Sequence, residues 1–488
     1  MRLTKRLLAA AAATVLCVSA ASCGSEDQSS AKPADSSDPV SSADSSIAEP
    51  DNSEISEADS SSEAEDSSSE TKDEKQEAVD KLKDRDIKNS TVRIILPQKA
   101  DPYSGKGSPT GTSFFEKKYG GRAEYIFVSG DERYEKIAAM KNAGEPVDLL
   151  AADEMDTFPR GTVSGLFLPI DGYLDLGSDL WKDTAETASY FMTGNNHYTA
   201  VIETLPRFVM VYDKRTIEND EIEDPGEIFN NVSWDQTSFD RLCRSFTGSA
   251  LGRKALGGSA TAEALSEGSG FPLFGVSGGR VITYYDRDEL KDTQKFMYSL
   301  GQAGLFAGDT EAKALTDGNL LFLTAELSQL EDPAGGRGLF DGVSFDDLMF
   351  VPAPSAESSS PKLSAAVKGY HILSDSKDPE AAAAYLDCEK AALEFDRADF
   401  EEHLKKDIGW TDDMIAMRRR LSALAGENPV ISAAEGISYE AARAASDMIS
   451  FSLKPSDAAR TWDSVIDEYR NQLDYLALRA NDTVQTGP

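Results

Sequence analysis

Residues 131–153 read DERYEKIAAMKNAGEPVDLLAAD. The first half has a helical period: Tyr134, Ile137 and Ala138 share one face at spacings of three and four. Gly144 follows the last turn, where a left-handed cap is expected. The second half changes period. From Pro146, PVDLLAAD is a short apolar run of strand length. A helix feeding directly into a buried strand is the repeating unit of an α/β fold. On the N-terminal side, TVRIILP (Thr91–Pro97) is a β-branched strand, TSFFEKKYG reads as a helix closed by Gly120, and AEYIFVSG is a second strand. Strands alternating with helices predict a parallel sheet.

The alternation resumes after residue 205. RFVMVYDK, NLLFLTAE and DLMFVPAP read as strands. SWDQTSFDRLCRSFTG reads as a turn and helix capped near Trp234 and Asp235. LKDTQKFMYSLGQAGLF is helical, with Leu290, Phe296, Met297 and Leu300 as its apolar face. DPEAAAAYLDCEKAALEF is a helix started at Asp378-Pro379. The last hundred residues are largely helical, ending in ARTWDSVIDEYRNQLDYLALRA.

The start of the chain has a different texture. Arg2, Lys5 and Arg6 precede the apolar run Leu7–Val18, and Ala20-Ala21-Ser22 precede Cys23. A basic end, a short apolar run and small residues make a secretory signal. The run is shorter than the roughly 20 apolar residues of a membrane-spanning helix. AASC resembles the bacterial lipobox, with Ala20 where leucine is commonest. That resemblance implies residues 1–22 as a lipoprotein signal peptide and Cys23 as the lipidated first residue of the mature chain. Residues 23–75 are rich in serine and acid, without apolar periodicity. They are expected to form a disordered, self-repelling tether, because such a segment buries too little surface to offset its ordering entropy.

The 488 residues suit two domains, and 40% are hydrophobic, enough for substantial cores. A net charge of −36 argues against nucleic-acid binding. The three histidines, His197, His371 and His403, are scattered, and there is no Cys-x-x-Cys or His-Glu-x-x-His. The usual zinc spacings are therefore missing, and neither metal nor cofactor is expected. The four cysteines are no disulfide framework.

Several patches, in order, resemble the extracellular solute-binding proteins of ABC importers, in particular the group that binds sugars. They are FFEKKYG (114–120), KIAAMKNAGEPVDLLAAD (136–153), LFLPIDGYL (166–174), NNHYTAVIETLPRFVMVYDKRTI (195–217), ALTDGNLLFLTAE (314–326) and GYHILSDSKDPEAAAAYL (369–386). Val201 stands where that family usually has proline, and Asp213 where it has asparagine. The resemblance covers Thr91 to the end. It implies an α/β, two-lobe periplasmic-binding-protein-like fold (type II) with a hinge and an interlobe cleft. The N-terminal lobe would be 90–203 plus 343–394, and the C-terminal lobe 208–340 plus 398–480. In that arrangement Cys243 and Cys388 lie on helices of different lobes. A bridge would freeze the hinge, so both are expected to be free and buried.

Sugar hydroxyls need planar hydrogen-bond partners, and the apolar ring faces need aromatics. Polar and aromatic residues just past the expected strands are therefore the candidates for ligand binding. These are Asp101 and Tyr103 after the first strand, Glu154 and Asp156 after the third, and Tyr198, Glu203 and Arg207 near the hinge. Tyr284, Tyr285, Glu326 and Tyr370 complete the set. Each has a structural alternative. Tyr198 and Tyr284 suit a core, Arg207 a structural ion pair, Glu154 and Asp156 a helix cap, and Asp101 a turn. Trp181, Trp234 and Trp462 read as structural.

The implied function is a monomeric, lipid-anchored protein on the extracellular face of the cell membrane. It would have no catalytic residues. It would capture a small solute, an oligosaccharide, and deliver it to ABC permease subunits. A secreted carbohydrate-active enzyme with paired carboxylates, and a surface sensor or adhesin without transport, remain open at this stage.

Overall fold

The computed structural model describes residues 62–87, 90–97, 109–128, 130, 132–153, 155–334, 338–356, 360–454 and 460–482. Its strands in chain order are β1 (Thr91–Leu96), β2 (Arg122–Phe127), β3 (Leu149–Ala151), β4 (Met192–Thr193), β5 (Asn196–His197), β6 (Ala200–Pro206) and β7 (Phe208–Asp213). They continue with β8 (Lys254–Gly257), β9 (Phe274–Ser277), β10 (Arg280–Thr283), β11 (Leu320–Glu326), β12 (Leu348–Val351), β13 (Leu363–Ile372) and β14 (Pro429–Val430).

Two sheets organise the two lobes. In the N-terminal lobe, β1 lies parallel to β2 and β3, β13 runs antiparallel to β3, and β6 runs antiparallel to β13. In the C-terminal lobe the order is β12-β7-β11-β8, with only the β8–β11 pair parallel. The expected parallel pairing therefore holds for β1 to β3, for β8 with β11 and for β13 with β14, and fails for the other pairs. The failures are the strands that travel between lobes or pair with those that do. They arrive from the opposite side and must pair antiparallel.

Local chemistry explains most elements. The helix Thr110–Tyr119 stops at Gly120, whose φ of 67° is left-handed, and Gly120 N donates to the Glu116 carbonyl at 2.9 Å. The helix Gln236–Ser249 opens on Asp235, whose side chain accepts from Thr237 N and Ser238 N while the Ser238 hydroxyl answers with the Asp235 amide. Pro379 starts the helix Pro379–His403 behind its Asp378 cap, as expected. In the helix Asp288–Gln302, Leu290, Met297 and Leu300 are fully buried. In the helix Glu132–Asn142, Arg133 joins Ile137 in the interior and Ala138 is exposed. The expected apolar face is thus rotated, because the Arg133 guanidinium has a buried use described below.

Among the described residues, three segments connect the lobes. The first is the junction of β6 and β7 at Arg207. The second is β13 itself: Leu363 and Ser364 pair with β14, whereas Tyr370–Ile372 pair with β3. The third is the helix Pro379–His403, about 37 Å long at about 1.5 Å per residue. Ala392 and Leu393 on it belong to the N-terminal core, and Leu404 just beyond it belongs to the C-terminal one. The expected return to the N-terminal lobe at residue 343 is corrected. β12 pairs with β7 along Leu348–Val351, and Leu363, Ala365 and Val367 still belong to the C-terminal cluster, so the chain leaves that lobe only along β13, before Tyr370. The apolar LMFV run has the same texture in either sheet, and pairing alone decides its lobe. Cys243 and Cys388 are free and buried, as expected.

The expectation of a disordered tether over 23–75 is corrected for residues 62–75, which lie in a helix that spans Ser62–Lys81. Its end is fixed by burial of Val79, Leu82 and Ile87 in the N-terminal core. Anchored there, the preceding residues can extend the helix backwards despite their polarity. Arg85 fastens the same region. It donates to Asp387 at 2.8 Å, to Glu380 at 2.6 Å and to the Tyr173 carbonyl at 2.8 Å. Cys23, the expected signal peptide (1–22) and the part of the expected tether before residue 62 lie outside the described residues. No helix among the described residues is long and apolar enough to cross a membrane.

Candidate functional site: the face between the lobes

Strand direction locates the site. β13 comes from the C-terminal lobe and runs antiparallel to β3, so the carboxyl ends of β1 and β3 point back toward that lobe. β7 leaves the hinge and runs antiparallel to β11, so the carboxyl ends of β8 and β11 point back toward the hinge. The two sets of carboxyl ends therefore converge, which is where α/β folds bind ligands.

On the N-terminal side, Asp153 accepts from Gly369 N at 3.1 Å. Glu203 lies opposite Lys368 in the β6–β13 ladder and accepts from Arg397 Nε at 3.1 Å and Nη2 at 2.9 Å. Beside them runs a chain of hydroxyls that passes from half-buried Thr112 and Tyr125 to buried Tyr385. Thr112 Oγ1 and Tyr125 Oη are 2.6 Å apart, Tyr125 Oη and Tyr385 Oη are 2.9 Å apart, and Tyr385 Oη donates to Glu389 at 2.7 Å. Burial raises the Glu389 carboxyl above its ordinary range, and Lys368 opposes the shift.

Past β3, Arg133 donates to Asp156 at 2.5 Å and to the Gly130 carbonyl at 2.8 Å. Arg160 lies over the Tyr134 ring at 4.9 Å. His371 stacks on Phe167 with centroids 4.0 Å apart. Its Nδ1 faces the Tyr198 carbonyl at 2.9 Å, so Nδ1 carries the proton and Nε2 accepts from Thr157 Oγ1 at 2.7 Å. Burial depresses its pKa to about 4.

On the C-terminal side, the Arg207 guanidinium donates to Glu263 at 2.9 Å and Glu435 at 2.7 Å, stands 3.8 Å from Glu326, and lies over the Phe208 ring at 4.6 Å. The lobes also touch. Met155, Phe158, Phe191 and Val201 join the apolar cluster of the C-terminal lobe. Gly436 packs so tightly under the Phe158 carbonyl that a Cβ there would collide with it. Gly194 N, in the β4–β5 turn, donates at 3.0 Å to the Gly279 carbonyl in the β9–β10 turn.

The sequence candidates fall into three groups. Asp101, Tyr103 and Glu154 lie outside the described residues. Asp156, Glu203, Arg207 and Glu326 sit along the converging edges, each already in an ion pair or close to one. Glu326 also caps the helix Leu327–Glu331. Tyr198 and Tyr284 are half-buried, and Tyr284 packs on Phe271 with centroids 5.2 Å apart. Two candidates are placed in the interior instead. Tyr370 is 5% exposed among the N-terminal core residues, because the β13 pleat points it inward. Tyr285 is 6% exposed and donates to Asp474 at 2.7 Å, fastening the C-terminal helix Trp462–Asp482. Glu263, Glu267, Glu435, Glu389 and Arg397 were missed. Each lies inside a helix, where the rule of looking just past strands does not reach. All four tryptophans are buried, so none offers a stacking face. Among the described residues, no group of three or more His, Cys, Asp or Glu is placed to hold a metal ion.

Solved structures share this architecture. The chain is similar to the galacto-N-biose/lacto-N-biose I-binding protein of the ABC transporter from Bifidobacterium longum, in complex with lacto-N-biose. The identity is 14%, with 81% of this chain and 98% of that one covered and a TM-score of 0.55. It is also similar to the sugar-binding protein MalE from Xanthomonas citri, at 11% identity over 82% of this chain and 100% of that one, TM-score 0.56. A third is the extracellular solute-binding protein from Staphylococcus aureus in complex with maltose, at 12% identity over 80% of this chain and 98% of that one, TM-score 0.56. The chain has the two-lobe fold of ABC-transporter sugar-binding proteins. No family model matches it, and no curated protein sequence does.

Proposed function

We propose that this chain is a binding protein without catalytic activity, which captures a small solute between its lobes and delivers it to ABC permease subunits. The observation that carries this reading is the convergence of both sets of strand carboxyl ends on a face spanned by three interlobe connections. Such a pair of lobes can close on a ligand by small rotations at the connections. An oligosaccharide is the proposed solute class. Acidic and arginine side chains along both edges suit the hydroxyls of such a molecule, and the fold is one in which solved relatives hold lacto-N-biose and maltose. With all four tryptophans interior, ring faces would meet tyrosine or phenylalanine. In this reading Cys23 carries a lipid, and the protein works as a monomer on the extracellular face of the membrane.

A thermal-shift screen of the full-length protein against mono- and oligosaccharides, peptides and polyamines tests the solute. A ligand that binds only the folded state raises the melting temperature by mass action. An oligosaccharide is expected to do so without being hydrolysed. A shift by peptides or polyamines alone would remove the sugar assignment, and turnover of any glycan would replace the binding protein with an enzyme. Mass spectrometry of the N-terminus, compared with Cys23→Ser, tests the anchor.

A further inference from the structure

Two of the connections between lobes meet at one point, and that point is ringed by carboxyl groups. Arg207, between β6 and β7, donates its amide to the Ser364 carbonyl at 2.9 Å. Ser364 Oγ, at the start of β13, donates to Glu267 Oε2. Glu267 is 3% exposed. It shares the helix Thr261–Glu267 with Glu263, one turn earlier, so the two are like charges at i and i+4. The other elements packed here contribute Arg207 from the β6–β7 junction, Glu435 from the helix Ala434–Ile437, Glu326 from the end of β11, and the neutral Ser364 from β13. One guanidinium faces four carboxyls. Buried charge without a partner is expensive, so the cluster holds a proton. Glu267, the most buried of the four and the one bonded to a neutral hydroxyl, is where it resides. Burial, and next to it the Glu263 charge, pushes the Glu267 carboxyl up to about 8.

Glu435 links this cluster to the lobe contact. Its neighbour Gly436 sits against the Phe158 carbonyl of the N-terminal lobe, so the Arg207–Glu435 pair holds the segment that touches the other lobe. We propose that Glu267 is the proton-bearing element of a hinge switch. With its proton, it leaves Arg207 to Glu435, and the helix Ala434–Ile437 stays against the N-terminal lobe. Without it, Glu267 becomes a rival anion inside the cluster, draws Arg207 away from Glu435 and loosens that contact. The device rests on the two-lobe reading proposed above, but its test needs no solute, so the two can fail separately.

Hydrogen exchange in the full-length protein reads the switch. The reporters are the amides of Ile437, bonded to Ala433, and Gly161, bonded to Thr157. Rates are taken at about pH 6 and about pH 9 and corrected for intrinsic exchange. A response of one pKa unit corresponds to about tenfold. Protection in the unaltered protein is expected to fall by about that factor or more at the higher pH. Glu267→Gln is expected to keep high protection at both, and Glu435→Gln to show low protection at both. An unaltered protein that does not respond, or a Glu267→Gln variant that responds as fully, overturns the proposal. Should Glu267→Gln fail to fold by circular dichroism, Glu435→Gln decides. Low protection without pH response supports the switch, and a retained response refutes it.

Discussion

Replacing Arg85 by methionine separates a buried ion pair from its surroundings. The Arg85 and Asp387 side chains are 4% and 7% exposed, and Nε and Nη2 both reach the carboxylate, at 3.2 and 2.8 Å. Removing one partner of such a pair strands the other charge and costs about 3–5 kcal/mol. Asp387 would keep one bond, from Trp181 Nε1 at 2.9 Å, which holds the loss toward the lower end. The Glu380 side chain is 53% exposed, and its pair adds at most about 1 kcal/mol. The Tyr173 carbonyl adds a similar amount. A loss of about 4 kcal/mol is therefore expected in guanidinium unfolding followed by circular dichroism and fluorescence together, since two lobes need not unfold in one step. The double variant Arg85→Met/Asp387→Leu leaves no charge buried and should recover most of the loss. A single-variant loss below about 1 kcal/mol would refute the reasoning.

Three further outcomes are expected. Glu267→Gln should remove a pH slope: the folded carboxyl lies near 8 against an ordinary 4.5, so the unfolded chain releases its proton first and stability falls as pH rises through that window. Melting temperatures that fall equally steeply in the variant would contradict this. His371 has the opposite sign, because its folded pKa is about 4 against 6.5. The protein should lose stability as pH drops through that range, less so in His371→Asn, and identical acid slopes would count against it. Gly436→Ala forces the Phe158 carbonyl to move and should cost about 1–3 kcal/mol. Unchanged melting, with unchanged exchange at the Gly161 amide, would show that the contact is not made in solution.

Much of the fold was legible because it is locally encoded. Gly120, Asp235 and Asp378 terminate or start their helices by interactions within a few residues. The strands TVRIIL, FVMVYD and LLFLTAE are apolar runs of the right length. The lobe of β12 was not legible, since its residues would satisfy either sheet. The site was only partly so. Arg207 and Glu203 could be nominated from their place near the hinge. Arg207's partners Glu263 and Glu435 are 56 and 228 positions away, and only the closed chain brings them together. Tyr370 shows the converse difficulty: it lies within β13, where successive residues face opposite sides of the pleat, and one step of register decides between cleft and core.

The fastening at Arg85 also sets the route that mechanical load would take. Tension arriving along the helix Ser62–Lys81 enters the fold at Val79, Leu82 and Arg85. Arg85 passes it to Asp387 and Glu380, both on the helix Pro379–His403. Part of such a pull would run into the helix Pro379–His403, which reaches from the first lobe to the second, so the segment that would swing in the proposed closure would also bear strain from any load on the N-terminus.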